Sequence, residues 1–177
     1  MNLANKISIA RIILIPFFIA AIVYSRMKIA LFFFALAVIS DGVDGFIARA
    51  LKQKTELGKI LDPIADKLLL VSAYICLAIV NNIPAHFKMP PYVPIIVISR
   101  DAIIVLGSII IYIITGDLKV APSPLGKITT FFQMITIGAI LMRFGHSAIL
   151  WNTTVFLTAV SGIDYVIKGS RLLSENH

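Results

Sequence analysis

The chain has 177 residues, 59% hydrophobic and 14% charged, with a mean hydropathy of +0.95 and a net charge of +7. A soluble domain of this size carries about 25% charged residues, so the composition excludes one and points to a single integral membrane domain over residues 1–177. The lone Cys76 excludes an intrachain disulfide, and basic residues gathered at the ends of apolar runs fit membrane topology better than nucleic acid.

A spanning helix needs roughly 20 mostly apolar residues. By that measure the sequence predicts an all-α integral membrane fold, six transmembrane helices in one bundle, over Ile7–Tyr24, Ile29–Ala48, Ile60–Val80, Val93–Thr115, Leu125–Met142 and Ile149–Ile167. Residues 1–6 leave room for a short interfacial helix. The first run contains Pro16 and lacks a small-residue cleavage site, so a retained helix is expected rather than a signal peptide. The connections are short, and Pro84, Pro90 and Pro91 mark the longest break.

Lys and Arg residues distribute unevenly between the two sides of such a bundle. One side holds Lys6, Arg11, Arg49, Lys52, Lys54, Lys59, Lys119, Lys127, Lys168 and Arg171; the other holds Arg26, Lys28, Lys88 and Arg143. The richer side, with both termini, is expected in the cytoplasm of a bacterial-type inner membrane.

The chemistry concentrates between the second and third runs. They carry Asp41-Gly-Val-Asp44-Gly45-Phe-Ile-Ala48-Arg49, eight intervening residues, then Gly58-Lys-Ile-Leu-Asp62-Pro-Ile-Ala-Asp66. Ionised carboxylates flanked by apolar sequence are costly without a cation or a partner. Asp41 and Asp44 stand three apart and Asp62 and Asp66 four apart, so each pair shares a helix face. Four carboxylates converging there would raise one another's pKa. Two hard divalent cations, Mg²⁺ or Mn²⁺, would offset that charge.

This spacing resembles the signature of the CDP-alcohol phosphatidyltransferases, with every defining position filled. The resemblance extends over six helices. Asn5 and Arg11 are similar to the family's Asn-x-x-Thr-x-x-Arg opening, with Ser8 at the Thr place. It implies that a hydroxyl attacks the β-phosphorus of CDP-diacylglycerol and releases CMP. By position, Asp41, Asp44, Asp62 and Asp66 resemble the metal ligands, and Asp66, the last carboxylate, the general base. The nucleotide pocket falls to Asn5, Asp44, Gly45, Ala48, Arg49 and Gly58. Small residues let the nucleotide lie against the backbone, and Arg49 is suited to phosphate oxygens. A homodimer is also implied. The motif holds no Ser, Cys or His, which favours direct displacement over a covalent intermediate. His86, His146 and His177 fall in loops or the tail and read as solvated or interfacial.

For the acceptor, Arg100 inside the fourth run is an intramembrane cation, and Lys127 resembles a second cation of the acceptor pocket. The bland reading of Arg100 is a pair with Asp101. An anionic acceptor, glycerol 3-phosphate, is the first expectation, since the phosphatidylglycerophosphate synthases resemble this chain most in general plan. Two positions depart from them: Thr129 stands where a second Lys is usual, and Asp101 where Glu is usual. The run Pro122–Thr130 is similar to the cardiolipin synthases, whose acceptor is phosphatidylglycerol, the alternative here. Two rival functions use similar residues, an aspartate-rich intramembrane prenyltransferase and a divalent-cation transporter. One motif on a single hairpin argues against the first, and the lack of an internal repeat against the second.

Overall fold

Long apolar runs separated by short polar, proline- or glycine-bearing breaks form six α-helices and no strands among the described residues: α1 Leu3–Val23, α2 Met27–Ala50, α3 Glu56–Ile79, α4 Tyr92–Thr115, α5 Pro124–Leu141 and α6 Ser147–Ser174. The computed structural model describes residues 3–50, 56–80, 84, 87–115 and 123–174, with side-chain placement in all of these except 3–8, 43–50, 56–63, 112, 115 and 172–174.

The expected helices are all present, with altered ends. Leu3 to Lys6 are continuous with α1, so among the described residues there is no separate interfacial helix. α3 begins at Glu56 rather than Ile60, which places Gly58 in its first turn. α6 runs to Ser174, since no proline follows Ile167 and Lys168 pairs with Asp164 one turn back at 2.7 Å. Among the described residues, two helical stretches are long and apolar enough to cross a membrane, Tyr92–Ile111 and Pro124–Leu141; Ile9–Val23 is a shorter apolar stretch. Large apolar side chains nevertheless face outward on every helix, including Phe17, Phe32, Ile79, Ile113, Phe131 and Phe156. Such a surface is suited to lipid rather than water.

Contacts group the chain into Met1–Lys88 with Ile137–Gly145, and Met89–Thr136 with His146–His177. In the first group α1 packs against both α2 and α3. Its buried stripe is Arg11, Ile15, Phe18 and Ile22, at the three- and four-residue steps of one helix face. The facing stripe of α2 is Met27, Ala30, Phe34 and Ala37. Phe18 and Phe34 pack with ring centroids 5.9 Å apart. The two alanines, both fully buried, let the backbones approach. Continuing either stripe by one step reaches charge: Arg11 closes the α1 stripe, and Asp41 follows Ala37 on α2.

In the second group α4 packs on α6. Its interior is rich in hydroxyls. Thr136 and Thr154 share a hydrogen bond of 2.8 Å, and Thr154 Oγ1 donates to the Phe132 carbonyl at 3.2 Å. Thr129 Oγ1 reaches the carbonyls of Leu125 at 2.8 Å and Leu157 at 3.3 Å. Between apolar helices, such bonds hold surfaces together that the hydrophobic effect alone would not.

Candidate functional site

The charged end of the first group is built on one contact. Arg11 Nη1 lies 2.8 Å from Asp41 Oδ1; the arginine side chain is 1% exposed and the aspartate 43%. The contact is an ion pair, and none of the three guanidinium nitrogens makes an aligned hydrogen bond. A buried guanidinium with unmet donors is costly. Here the packing of α1 brings it against the first carboxylate of the motif while leaving that carboxylate's other side open. A Cβ built on the neighbouring Gly42 would meet nothing within 4 Å, so the α2 surface beside Asp41 has room.

Asp66 and Lys67 are half-buried on α3. Because α1 touches both α2 and α3, it is the common neighbour of the helices that bear the two aspartate pairs. Asp44, Gly45, Ala48 and Arg49 lie on α2, Gly58 and Asp62 on α3, and Asn5 on α1. The side chains of these seven are outside the described set, and with them the expected convergence of four carboxylates. Among the described residues no three His, Cys, Asp or Glu side chains gather as a metal group.

The expected acceptor cations lie in the second group, in different states. Arg100 is buried. Its Nη1 donates to Asp101 Oδ1 at 2.9 Å and its Nη2 to Ser161 Oγ at 2.6 Å, while Nε has no partner. The pairing with Asp101 is therefore present. A Cβ on Gly126 would lie 3.1 Å from Arg100 Nη2, so the guanidinium rests against the first turn of α5. Ser123 caps that turn, its Oγ accepting from the Gly126 amide at 3.1 Å. Lys127, the next residue, is exposed. Arg100 also lines a largely apolar cavity of about 480 Å³ with Ser99, Thr158 and Gly162.

Two partnerships go beyond what the sequence suggests, Arg11 with Asp41 and Arg100 with Ser161. For the second the sequence holds a faint signal. Thr154, Thr158 and Ser161 repeat at four- and three-residue steps along α6, which marks a hydroxyl-bearing inner face.

Comparison with known proteins agrees with the motif. A family model described as CDP-alcohol phosphatidyltransferase matches residues 1–160. A Bacillus subtilis protein named CDP-diacylglycerol–glycerol-3-phosphate 3-phosphatidyltransferase is 34% identical, over 99% of each chain. A Haemophilus influenzae protein of the same name is 35% identical over 97% of this chain and 96% of its own. The human cardiolipin synthase (CMP-forming) is 31% identical over 96% of this chain and 62% of its own length. Such coverage decides against prenyl transfer and cation transport: the chain belongs to the CDP-alcohol phosphatidyltransferase family and is a phosphatidyl-transferring enzyme.

Proposed function

We propose that the enzyme transfers the phosphatidyl group of CDP-diacylglycerol to glycerol 3-phosphate, releasing CMP. In this reading all six helices cross an inner membrane. The termini and the Asp41–Asp66 motif face the cytoplasm, and the working form is a homodimer. The observation that carries the proposal is the complete motif on α2 and α3, both packed on α1, with its first carboxylate held by a buried arginine.

The donor set is carboxylate oxygen throughout, which suits Mg²⁺ or Mn²⁺. The half-exposed Asp41, with open surface at Gly42, is accessible to a cation even while it pairs with Arg11. Asp41, Asp44, Asp62 and Asp66 would hold two such ions, which when bound neutralise the diphosphate and the charge growing on the departing CMP. Asn5, Gly45, Ala48 and Gly58 frame the nucleotide, and Arg49 grips phosphate oxygens. The acceptor hydroxyl oxygen bonds to the β-phosphorus as the bond from that phosphorus to the CMP oxygen breaks. The hydroxyl proton passes to the Asp66 carboxylate.

Arg100 and Lys127 are assigned to the acceptor. One observation favours the second reading, phosphatidylglycerol as acceptor. Thr129, at the place where a second lysine is usual, is buried with its hydroxyl spent on two carbonyls, and Arg100 already pairs with Asp101. A phosphodiester acceptor needs fewer cations than a phosphate monoester. The test measures CMP release by purified enzyme from CDP-diacylglycerol with each acceptor in turn. Glycerol 3-phosphate is expected to give the higher kcat/KM. Release with phosphatidylglycerol alone would select the second reading, and release with neither would end both.

A further inference from the structure

At the end of α2 remote from the aspartates lies a second cavity, of about 620 Å³ and part polar, lined by Ser25, Arg26, Met27, Lys28, Ile29, Leu31, Leu141, Met142 and Arg143. All of these residues belong to the first contact group. Asp41 is thirteen residues beyond Lys28 on α2, which at 1.5 Å per residue is about 20 Å along the helix. The cavity is therefore separate from the transfer site.

Its construction is specific. Two tight turns, one after α1 and one after α5, form its rim. Each closes its helix with the same pair of backbone bonds: Ser25 N to Ile22 O and Arg26 N to Ala21 O in one, Arg143 N to Ile140 O and Phe144 N to Ala139 O in the other. Each also places a non-glycine residue in the left-handed region, Ser25 at φ 58° and Arg143 at φ 56°. This is the helix-ending motif that glycine usually completes, and a residue with a Cβ costs about 1 kcal/mol or more there. That cost sets a serine and an arginine side chain on the rim.

Among the described residues, the polar side chains of this rim lack internal partners. Arg26, Lys28 and Arg143 are exposed, and no carboxylate lines the cavity. The Ser25 hydroxyl is buried without a hydrogen-bond partner. Met27 and Lys28 open α2, where amide N–H groups have no acceptor within the helix and favour an anion. Ile29, Leu31, Leu141 and Met142 supply an apolar wall. Three cations, an unmet hydroxyl and a helix start beside hydrocarbon match a phosphodiester whose acyl chains run along the helices. A free phosphate would leave the apolar wall unused.

We infer that this cavity binds the headgroup of one anionic phospholipid, at the membrane face opposite the transfer site. The full-length protein in mild detergent should retain phosphatidylglycerol in native mass spectrometry, one copy if glycerol 3-phosphate is the acceptor and a second at the transfer site if phosphatidylglycerol is, and phosphatidylcholine much more weakly. Arg26→Gln with Lys28→Gln should lower phosphatidylglycerol affinity about five-fold per cation removed. Arg143→Asn, chosen because asparagine tolerates the left-handed region, should lower it similarly. Lys88→Gln, outside the lining, should change it less than two-fold. Lys28→Gln alone alters one exposed helical residue, so its effect is readable even if the turn variants fold poorly. Equal retention of both lipids, or unchanged affinity in Lys28→Gln, overturns the inference. Displacement of the lipid by millimolar inorganic phosphate would reassign the cavity to a free anion.

Discussion

Two arginine–aspartate pairs of nearly equal length serve opposite ends. Arg11 and Asp41 meet at 2.8 Å, with the arginine sealed in the helix packing and the carboxylate 43% exposed. Arg100 and Asp101 meet at 2.9 Å with both side chains 8% exposed, and Ser161 takes a further guanidinium bond. The first pair keeps one charged partner open to outside groups; the second is closed into its own helices. An open carboxylate beside unmet donors can take on a ligand's charge. A closed pair mainly fixes helix register, at a desolvation cost its Coulomb energy only partly offsets.

The largest effects should fall on the open side. Asp66→Asn is expected to reduce transfer by about 10²–10⁴-fold, the range of a positioned general base, with an unchanged melting temperature. CMP release together with a thermal melt checks it, and retained turnover would remove Asp66 as the base. Stripping divalent cations with excess EDTA should eliminate transfer and spare the fold. Activity that persists would break the contrast, because the aspartates would then hold no metal. On the closed side the readouts exchange places. Asp101→Asn leaves a buried guanidinium without its counter-charge and should cost about 3–5 kcal/mol, seen as a lower melting temperature in detergent. An unchanged melt would mean that Arg100 reaches solvent or a ligand.

The same contrast explains which features are legible in the amino-acid sequence. Six helices can be read there because long apolar runs alternate with short polar or proline-marked breaks. The aspartate motif can be read because charge between such runs has no bland purpose. Asp101 is adjacent to Arg100, so that pair is also visible. The Arg11–Asp41 pair is not, since thirty residues separate its members and only the rotation of α1 against α2 brings them together. Ser161 escapes because a hydroxyl within an apolar run looks like tolerated filler until its helix face is known. Helix ends shift where no breaker stands, as at Glu56 and beyond Ile167. A separate N-terminal helix overreads a stretch whose described residues, Leu3 to Lys6, simply extend α1.

A smaller effect tests whether the closed pair also serves the acceptor. Lys127 is exposed on the first turn of α5, one residue beyond the glycine that Arg100 touches. Lys127→Ala should raise the acceptor KM about ten-fold, in line with one charge-assisted contact of about 1.5 kcal/mol, and leave the donor KM unchanged. An unchanged acceptor KM would move the acceptor pocket elsewhere and leave Arg100 a purely structural residue.

The smallest expected effect is at Gly126 itself, where two terms of opposite sign meet. Alanine in a helix is favoured over glycine by about 1 kcal/mol. Its Cβ, however, would stand 3.1 Å from Arg100 Nη2, closer than that contact tolerates without a shift of a few tenths of an ångström. A free arginine tip would yield cheaply, but this one is held by Asp101 on one side and Ser161 on the other. Stretching the 2.6 Å bond to Ser161 forfeits part of a charge-assisted hydrogen bond of about 1.5–3 kcal/mol. The net change in Gly126→Ala should therefore be a modest destabilisation, under about 2 kcal/mol. The Ser161→Ala background isolates the cause. With the hydroxyl gone, the guanidinium can swing away and the helix preference should dominate, so Gly126→Ala should there raise the melting temperature. If it lowers it equally in both backgrounds, the strain lies in the backbone of α5 and the arginine is not clamped.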